Sequence, residues 1–363
     1  MERSFRTLVL LFLALGIMAL ICGGLLFLLA GDGLIDAGRI LLIRASLVFR
    51  QDELDQPIGT DDTIVRFVVD PGDTARTIAA KLQTSGLIAD SELFVDYARS
   101  QSLDSELEAG IFFLRQTQST RQIAQALTDS RFSEITFSIT PGQRLEEVVA
   151  QIDSNPLFGF TGQDFLNVVG RGAPVDPTFA QVVGLPQGMS LEGFLFPDTY
   201  ALRPDITPEG LRDLLLQAFL TNTETIRQQT DGYSVYEIVT LASIIEREAI
   251  HNDEKPTISS AYRNRLETPG WRLDADPTVQ YALGTPENWW PRITVADYAL
   301  QAVYNTYQNP GLPPGPIANP GLSALDAAAN PAETPYYFFR ADCRSDGYHD
   351  FAVTYEEHLA NGC

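Results

Sequence analysis

Only three histidines and three cysteines occur in the 363 residues, and that scarcity removes several chemistries at once. His251, His349 and His358 stand apart from one another, and Cys22, Cys343 and Cys363 form no CxxC pair, so no zinc-site spacing can be written. No GxxxxGK[ST] phosphate loop is present, no GxGxxG behind a strand, and no GxSxG elbow. No histidine has an evident serine or cysteine partner. Basic residues are also few: 25 Lys+Arg against 47 Asp+Glu give a formal net charge of -22. Such a surface repels nucleic-acid phosphates and anionic lipid headgroups. A nucleic-acid role is excluded on that ground, and a neutral or amine-bearing substrate is easier to accommodate. What is present, 45% hydrophobic and 20% charged residues, is the composition of a folded globular protein. The length allows about two domains.

Leu8 to Ala30 runs 23 residues without a charge, long enough to cross a bilayer as a helix. Arg3 and Arg6 precede it, which places the N-terminus in the cytoplasm and the chain after about Gly31 outside. A cleaved signal peptide has an apolar core of roughly 7–15 residues and a small-residue end. Here the run is longer and Leu25–Leu29 supplies no such end, so a retained single-pass anchor is expected. Outside the cell membrane, Cys343 and Cys363 would meet an oxidising environment, with a disulfide or two thiols both open.

Ile40 to Phe49 is a weaker amphipathic stretch interrupted by Arg44, and the acidic segment Gln51–Asp62, with Pro57 and Gly59, reads as a tether. Thr63–Val69 alternates like a strand; Pro71-Gly72-Asp73-Thr74 is a turn ending in a helix cap. Ile78, Ala79 and Leu82 mark the following helix, which Gly86 stops, and Ser91 is expected to cap a second helix bearing Leu93, Phe94 and Tyr97. Gly110–Leu114 reads as a returning strand. This strand–helix–helix–strand order is that of a LysM-like glycan-binding module, and also of a generic small α+β domain. A related pattern follows at Ile135–Ile139, Pro141-Gly142 and the helix through Leu145, Val148, Val149 and Ile152, then Gly/Pro-rich loops from Gly159 to Gly188. Further helices are expected at about 208–221, 235–249 and 257–266, with a late strand at 336–339. The fold class is therefore α+β: a cytoplasmic tail (1–7), a transmembrane helix (8–30), a linker (31–62), a small LysM-like α/β module (63–136) and a larger mixed α+β domain (137–363).

With metal and histidine-activated nucleophiles set aside, carboxylates lead. The helix from Val235 to Ala249 carries acids inside an apolar sequence. At about 100° per residue, Val235, Ile238, Val239, Ala242, Ile245 and Ala249 share one face, Glu246 falls within it, and Glu248 lies on a flank with Glu237, Leu241 and Ile244. Nearly every side is apolar, so the helix is expected at the centre of its domain. Either glutamate can be desolvated there; a pairing of Glu246 with Arg263 or Arg265 and a solvated Glu248 is the structural alternative. Spacing does not choose.

Ser190-Leu-Glu-Gly-Phe-Leu-Phe-Pro-Asp-Thr-Tyr200, Leu241-Ala-Ser-Ile-Ile-Glu-Arg-Glu248, Asp276-Pro-Thr-Val-Gln-Tyr281, Tyr304-Asn-Thr-Tyr307 and Gly311-Leu-Pro-Pro-Gly-Pro-Ile-Ala-Asn-Pro-Gly321 resemble, in order, the signature blocks of the endolytic murein transglycosylases, the MltG or YceG-like family. Pro335-Tyr-Tyr-Phe-Phe339 with His349-Asp-Phe351 is similar to that family's closing segment. The resemblance implies a lyase of the extracytoplasmic face that cuts peptidoglycan glycan strands, without a cofactor or metal, with cell-wall synthases as partners by analogy. It implies Glu248 as the catalytic residue: acid toward the glycosidic oxygen between N-acetylmuramic acid and N-acetylglucosamine, then base for the muramic acid's own C6 hydroxyl. A non-catalytic glycan scaffold and a water-using hydrolase are the rivals. Candidate substrate contacts are Glu192, beside Phe194 and Phe196, and Tyr304, Asn305 and Tyr307; for each, pinning of a loop is the alternative role. Asp276, before Pro277, reads as a helix N-cap, with substrate contact as the alternative. Where relatives often carry Pro-Glu-Gly, this chain has Pro141-Gly142-Gln143, far from the proposed acid in sequence.

Overall fold

The computed structural model describes residues 40–129 and 133–362. The uncharged run Leu8–Ala30 lies outside them; among the described residues no helix is long and apolar enough to cross a membrane. The chain is mixed α+β and divides into two compact units between Ser133 and Glu134.

In the first unit, β1 (Val65–Val69) pairs antiparallel with β2 (Gly110–Leu114), Phe67 opposite Phe112, and alternation turns Phe67, Val69, Phe112 and Leu114 inward. Residues 40–48 are helical, and a short helix α1 (Gln51–Asp55) follows. Helix α2 (Ala75–Thr84) starts at a capping box between Thr74 and Thr77, and Gly86 beyond its end takes a left-handed φ of 66° that favours glycine. Helix α3 (Ser91–Ser100) is capped by Asp90 rather than Ser91: the Asp90 carboxylate accepts from Glu92 N at 2.9 Å and Leu93 N at 3.2 Å. A carboxylate reaches two helix-end N–H groups and complements their positive end, so it wins over the neighbouring hydroxyl. Helix α4 (Thr120–Ala126), opened by the Ser119 capping box, was not legible as a separate element.

Gln51–Asp62 does not hang as a bare tether. Leu54 of α1 and Leu47 before it are buried in the first unit's core, Arg121 pairs with Asp55 at 2.6 Å, and Pro57 bridges Ser119. Each buried leucine is worth about 1.5–3 kcal/mol. A chain begun at Thr63 is therefore expected to melt its first unit at lower denaturant than one begun at Ile40; equal midpoints would contradict the docking.

In the second unit, β3 (Ile135–Ser138) pairs antiparallel with β4 (Thr199–Leu202). Helix α5 (Leu145–Ser154) lies between them in sequence. The Gly/Pro-rich stretch read as loop holds two helices, α6 (Gly162–Val169) and α7 (Pro177–Val183). Both are short and set by their ends: the Thr161 capping box opens α6, while Asp176, Pro177 at the first turn and left-handed Gly184 bound α7. After α8 (Pro208–Asn222) comes α9 (Val235–Glu248), buried from Tyr236 through Ile245 except at Glu237, as expected for a central helix. Helix α10 (Lys255–Glu267), α11 (Asp276–Leu283) and α12 (Leu322–Ala329) follow, α12 packing along α9. A closing hairpin of β5 (Phe338–Ala341) and β6 (His349–Ala352) leads to α13 (Tyr355–Ala360). Cys343, between these strands, is disulfide-bonded; Cys363, the expected partner, lies outside the described residues.

Candidate active site

The two glutamates of α9 meet different fates. Glu246 is only 10% exposed and accepts from Lys255 Nζ at 3.0 Å and from Gly321 N at 3.0 Å. Its cationic partner is thus Lys255, at the head of α10, not Arg263 or Arg265. Those two are committed elsewhere: Arg263 stacks on Tyr233 at 3.7 Å, and Arg265 donates to the carbonyls of Leu273 and Tyr337. Glu246 is a strut.

Glu248 is the last residue of α9, because Ala249 turns extended at ψ 127°. The carbonyl end of a helix carries partial negative charge and disfavours a second one. Glu248 faces a cavity of about 430 Å³ that it shares with Tyr262, Arg265, Asp276, Tyr307 and His349. The volume suits a small-molecule or sugar subsite. Tyr262, on α10 and 1% exposed, donates its hydroxyl to Glu248 Oε1 at 2.5 Å. No other hydrogen bond to this carboxyl occurs among the described residues. Burial raises the Glu248 pKa to about 7. The Tyr262 hydrogen bond opposes that rise, Asp276 adds to it, and Arg265 opposes it weakly. Burial also pushes the Tyr262 phenol far up, so it remains a donor throughout the working range.

Sequence reasoning did not place Tyr262, Asp276 or His349 beside Glu248 on this cavity. Asp276 is the first residue of α11 and makes no cap bond; it accepts the Tyr307 hydroxyl at 2.6 Å. Tyr307 in turn stacks on Tyr298 at 4.1 Å. His349 is held by Glu254 twice, through its backbone N at 2.9 Å and through Nδ1 at 3.0 Å. Tyr262, Asp276 and His349 lie 14, 28 and 101 residues from Glu248, beyond the reach of any local pattern. Among the described residues, no group of three or more His, Cys, Asp or Glu is disposed to hold a metal ion.

Of the four candidate substrate contacts, Tyr307 alone lines the Glu248 cavity. Asn305 is fully buried; its amide donates to the Tyr298 and Leu300 carbonyls and its oxygen accepts from Tyr307 N, which pins the loop that carries Tyr307. Glu192, 3% exposed, accepts the free N–H of Leu145 at the head of α5 with both oxygens, at 2.9 and 3.0 Å. Burial raises its pKa to about 8, with Glu146 adding and the Leu145 bond opposing. The Tyr304 ring packs at a tilt against Tyr281 at 4.8 Å, and its hydroxyl accepts from Arg171 at 3.5 Å.

The proline-stiffened segment 311–321 is laid along α9 by three bonds: Tyr236 OH to Pro314 O at 3.1 Å, Ile317 N to Ser243 Oγ at 3.0 Å, and Gly321 N to Glu246. Positions 236, 243 and 246 recur at helical spacing, so one stripe of the helix carries the wall. Buried Asn319 locks it further, accepting from Gly193 N and Leu195 N and donating to Gln143 O. The divergent turn at Gly142, remote in sequence, touches the same helix: with φ at 85°, an added Cβ would stand 3.2 Å from Arg247 Nη1.

A general acid works in its protonated form, so if Glu248 serves as one, the rate it supports is expected to fall as pH rises through about 7. Tyr262→Phe removes the bond that lowers this pKa. The alkaline limb should move to higher pH while the maximal rate drops through lost orientation; a pH–rate profile with an unmoved limb would detach Tyr262 from the acid.

A family model described as the YceG-like family matches residues 67–362. A Bacillus subtilis (strain 168) protein described as endolytic murein transglycosylase is 29% identical over 329 residues, covering 88% of this chain and 89% of its own length. A Streptococcus pneumoniae protein of the same description is 27% identical over 335 residues, covering 85% of this chain and 60% of its own length. A crystal structure of a yceG-like protein from Listeria monocytogenes superposes with a TM-score of 0.54 at 28% identity, over 82% of this chain and 99% of that one.

Proposed function

Because the chain belongs to the YceG-like family, we propose that it is an endolytic peptidoglycan lytic transglycosylase, a lyase whose general acid is Glu248. The observation that carries this reading is the Glu248 carboxyl on its cavity, held by Tyr262 and raised to about 7, so that a proton is available at neutral pH. In the proposed reaction that proton passes to the glycosidic oxygen between N-acetylmuramic acid and N-acetylglucosamine as the C1–O bond breaks. The C6 hydroxyl of the same muramic acid closes on C1 and gives its proton to the Glu248 carboxylate. The product ends in a 1,6-anhydro ring, and the acid is regenerated.

The attacking oxygen belongs to the substrate, so no second carboxylate is required as nucleophile or base. Asp276, a carboxylate on the same cavity, accepts the Tyr307 hydroxyl. Tyr307 is proposed to bind the glycan directly. Asn305 pins the loop that carries Tyr307, while Glu192 and Tyr304 do not line the Glu248 cavity.

The LysM-like module, residues 63–136, is proposed to hold the strand, and residues 8–30 to anchor the enzyme with its catalytic domain, 137–363, on the extracytoplasmic side, where cell-wall synthases are proposed as partners. Incubation with purified long glycan strands tests the reading. Endolytic cutting shortens the whole length distribution at once, whereas strands that are bound yet uncut would leave only a scaffold.

A further inference from the structure

The helical residues 40–48 show two faces. One is joined to the first unit: Leu47 is 8% exposed in its core, Ile43 packs against that core, and the Arg44 guanidinium donates twice to Ser100 O, at 3.0 and 3.3 Å. The other is apolar and open. Leu41 is 70% exposed, Leu42 73%, Val48 64% and Phe49, just past the last turn, 89%, with exposed Ala45 between them. At 100° per residue these five positions fall within an arc of about 120°. A helix with one apolar face buried and a second one bare implies a second partner.

The chain preceding this helix says which partner. Residues 1–39 lie outside the described part, and they contain the 23-residue uncharged run that ends at Ala30, with only nine residues between it and Ile40. A surface tied so closely behind a bilayer-crossing segment stays within reach of the bilayer. We propose that Leu41, Leu42, Ala45, Val48 and Phe49 rest in the outer interface of that membrane, so that this helix clamps the first unit to the lipid surface. The partner is the apolar part of the lipid, not its charge: Arg44 is spent on Ser100, and Arg50 on Glu53 and Asp90 at 2.6 and 2.5 Å. A chain of net charge -22 gains nothing from anionic headgroups. The inference rests on the bilayer crossing expected for residues 8–30 and is independent of the reaction at Glu248.

The test uses the full chain carrying Leu42→Trp, Phe49→Trp or, as control, Thr60→Trp, reconstituted in phosphatidylcholine vesicles with brominated acyl chains. Emission of Trp271, Trp289 and Trp290 is subtracted with the unsubstituted chain. Tryptophan at 42 and 49 is expected to be quenched several-fold and blue-shifted, equally at low and high salt, while tryptophan at 60 stays unquenched. Floating vesicles in which 42 and 49 are quenched no more than 60 overturn the proposal. So does crosslinking that finds the face covered by a second copy. A chain that fails to float removes the anchor and this proposal together, while leaving the activity at Glu248 to be judged by its own assay.

Discussion

Glu248→Gln is expected to fold, to bind glycan and to lose on the order of 10²–10⁴ of the cleavage rate, about 3–5 kcal/mol of transition-state stabilisation. Glutamine matches the size of the carboxylic acid and can still accept the Tyr262 hydroxyl, but it cannot give up a proton and take it back. The variant also carries a stability signature. The folded-state pKa of Glu248, raised to about 7, lies above the ordinary glutamate value of 4.5, so this group's contribution is fully present below 4.5 and is lost as pH rises through 7. Glutamine has no such loss. Chemical denaturation should show the variant gaining on the wild type between pH 4.5 and 8, with the comparison flat below. A variant that is inactive because it is unfolded would show no cooperative transition at any pH.

Lys255→Met is the second large effect, on stability rather than chemistry. Lys255 is 2% exposed and its ammonium bonds Glu246 at 3.0 Å and Ser323 at 2.9 Å. Removing it leaves the Glu246 carboxylate enclosed with only the Gly321 N–H, at a cost of about 3–5 kcal/mol. For a unit of this size, that lowers the melting temperature by on the order of 10 °C. Adding Glu246→Gln in the same chain should recover much of the loss, because the stranded charge is then gone. A single Lys255→Met chain that melts with the wild type would show that the pair does not brace α9.

The sequence located α9 and its two acids because the signal is local: an apolar run with helical period, interrupted by carboxylates. It left open which acid faces a cavity, since Glu246 and Glu248 differ only in what distant segments bring to them. Lys255 and Gly321 come to one; Tyr262, Asp276 and the closing hairpin surround the other. The family resemblance pointed to Glu248 where periodicity could not. Asp276 was read as a cap because Asp before Pro-Thr is a common helix start, yet its partner is a tyrosine hydroxyl 31 residues away. The helices at 162–169 and 177–183 were hidden by flanking glycine and proline that in fact bound them. Leu54 was hidden by the acidic residues around it, and its burial is visible only once the first unit is assembled.

The proposed reaction differs from hydrolysis in the atom count of the new chain end, by one water. Mass spectrometry of the fragments released from purified glycan strands by the wild-type chain, beside a Glu248→Gln digest, reads that count directly. Fragments ending in 1,6-anhydro-muramic acid, one water lighter than a reducing end and absent from the Glu248→Gln digest, are the expected result. Reducing ends from the wild type, or undiminished anhydro ends from folded Glu248→Gln, would contradict it.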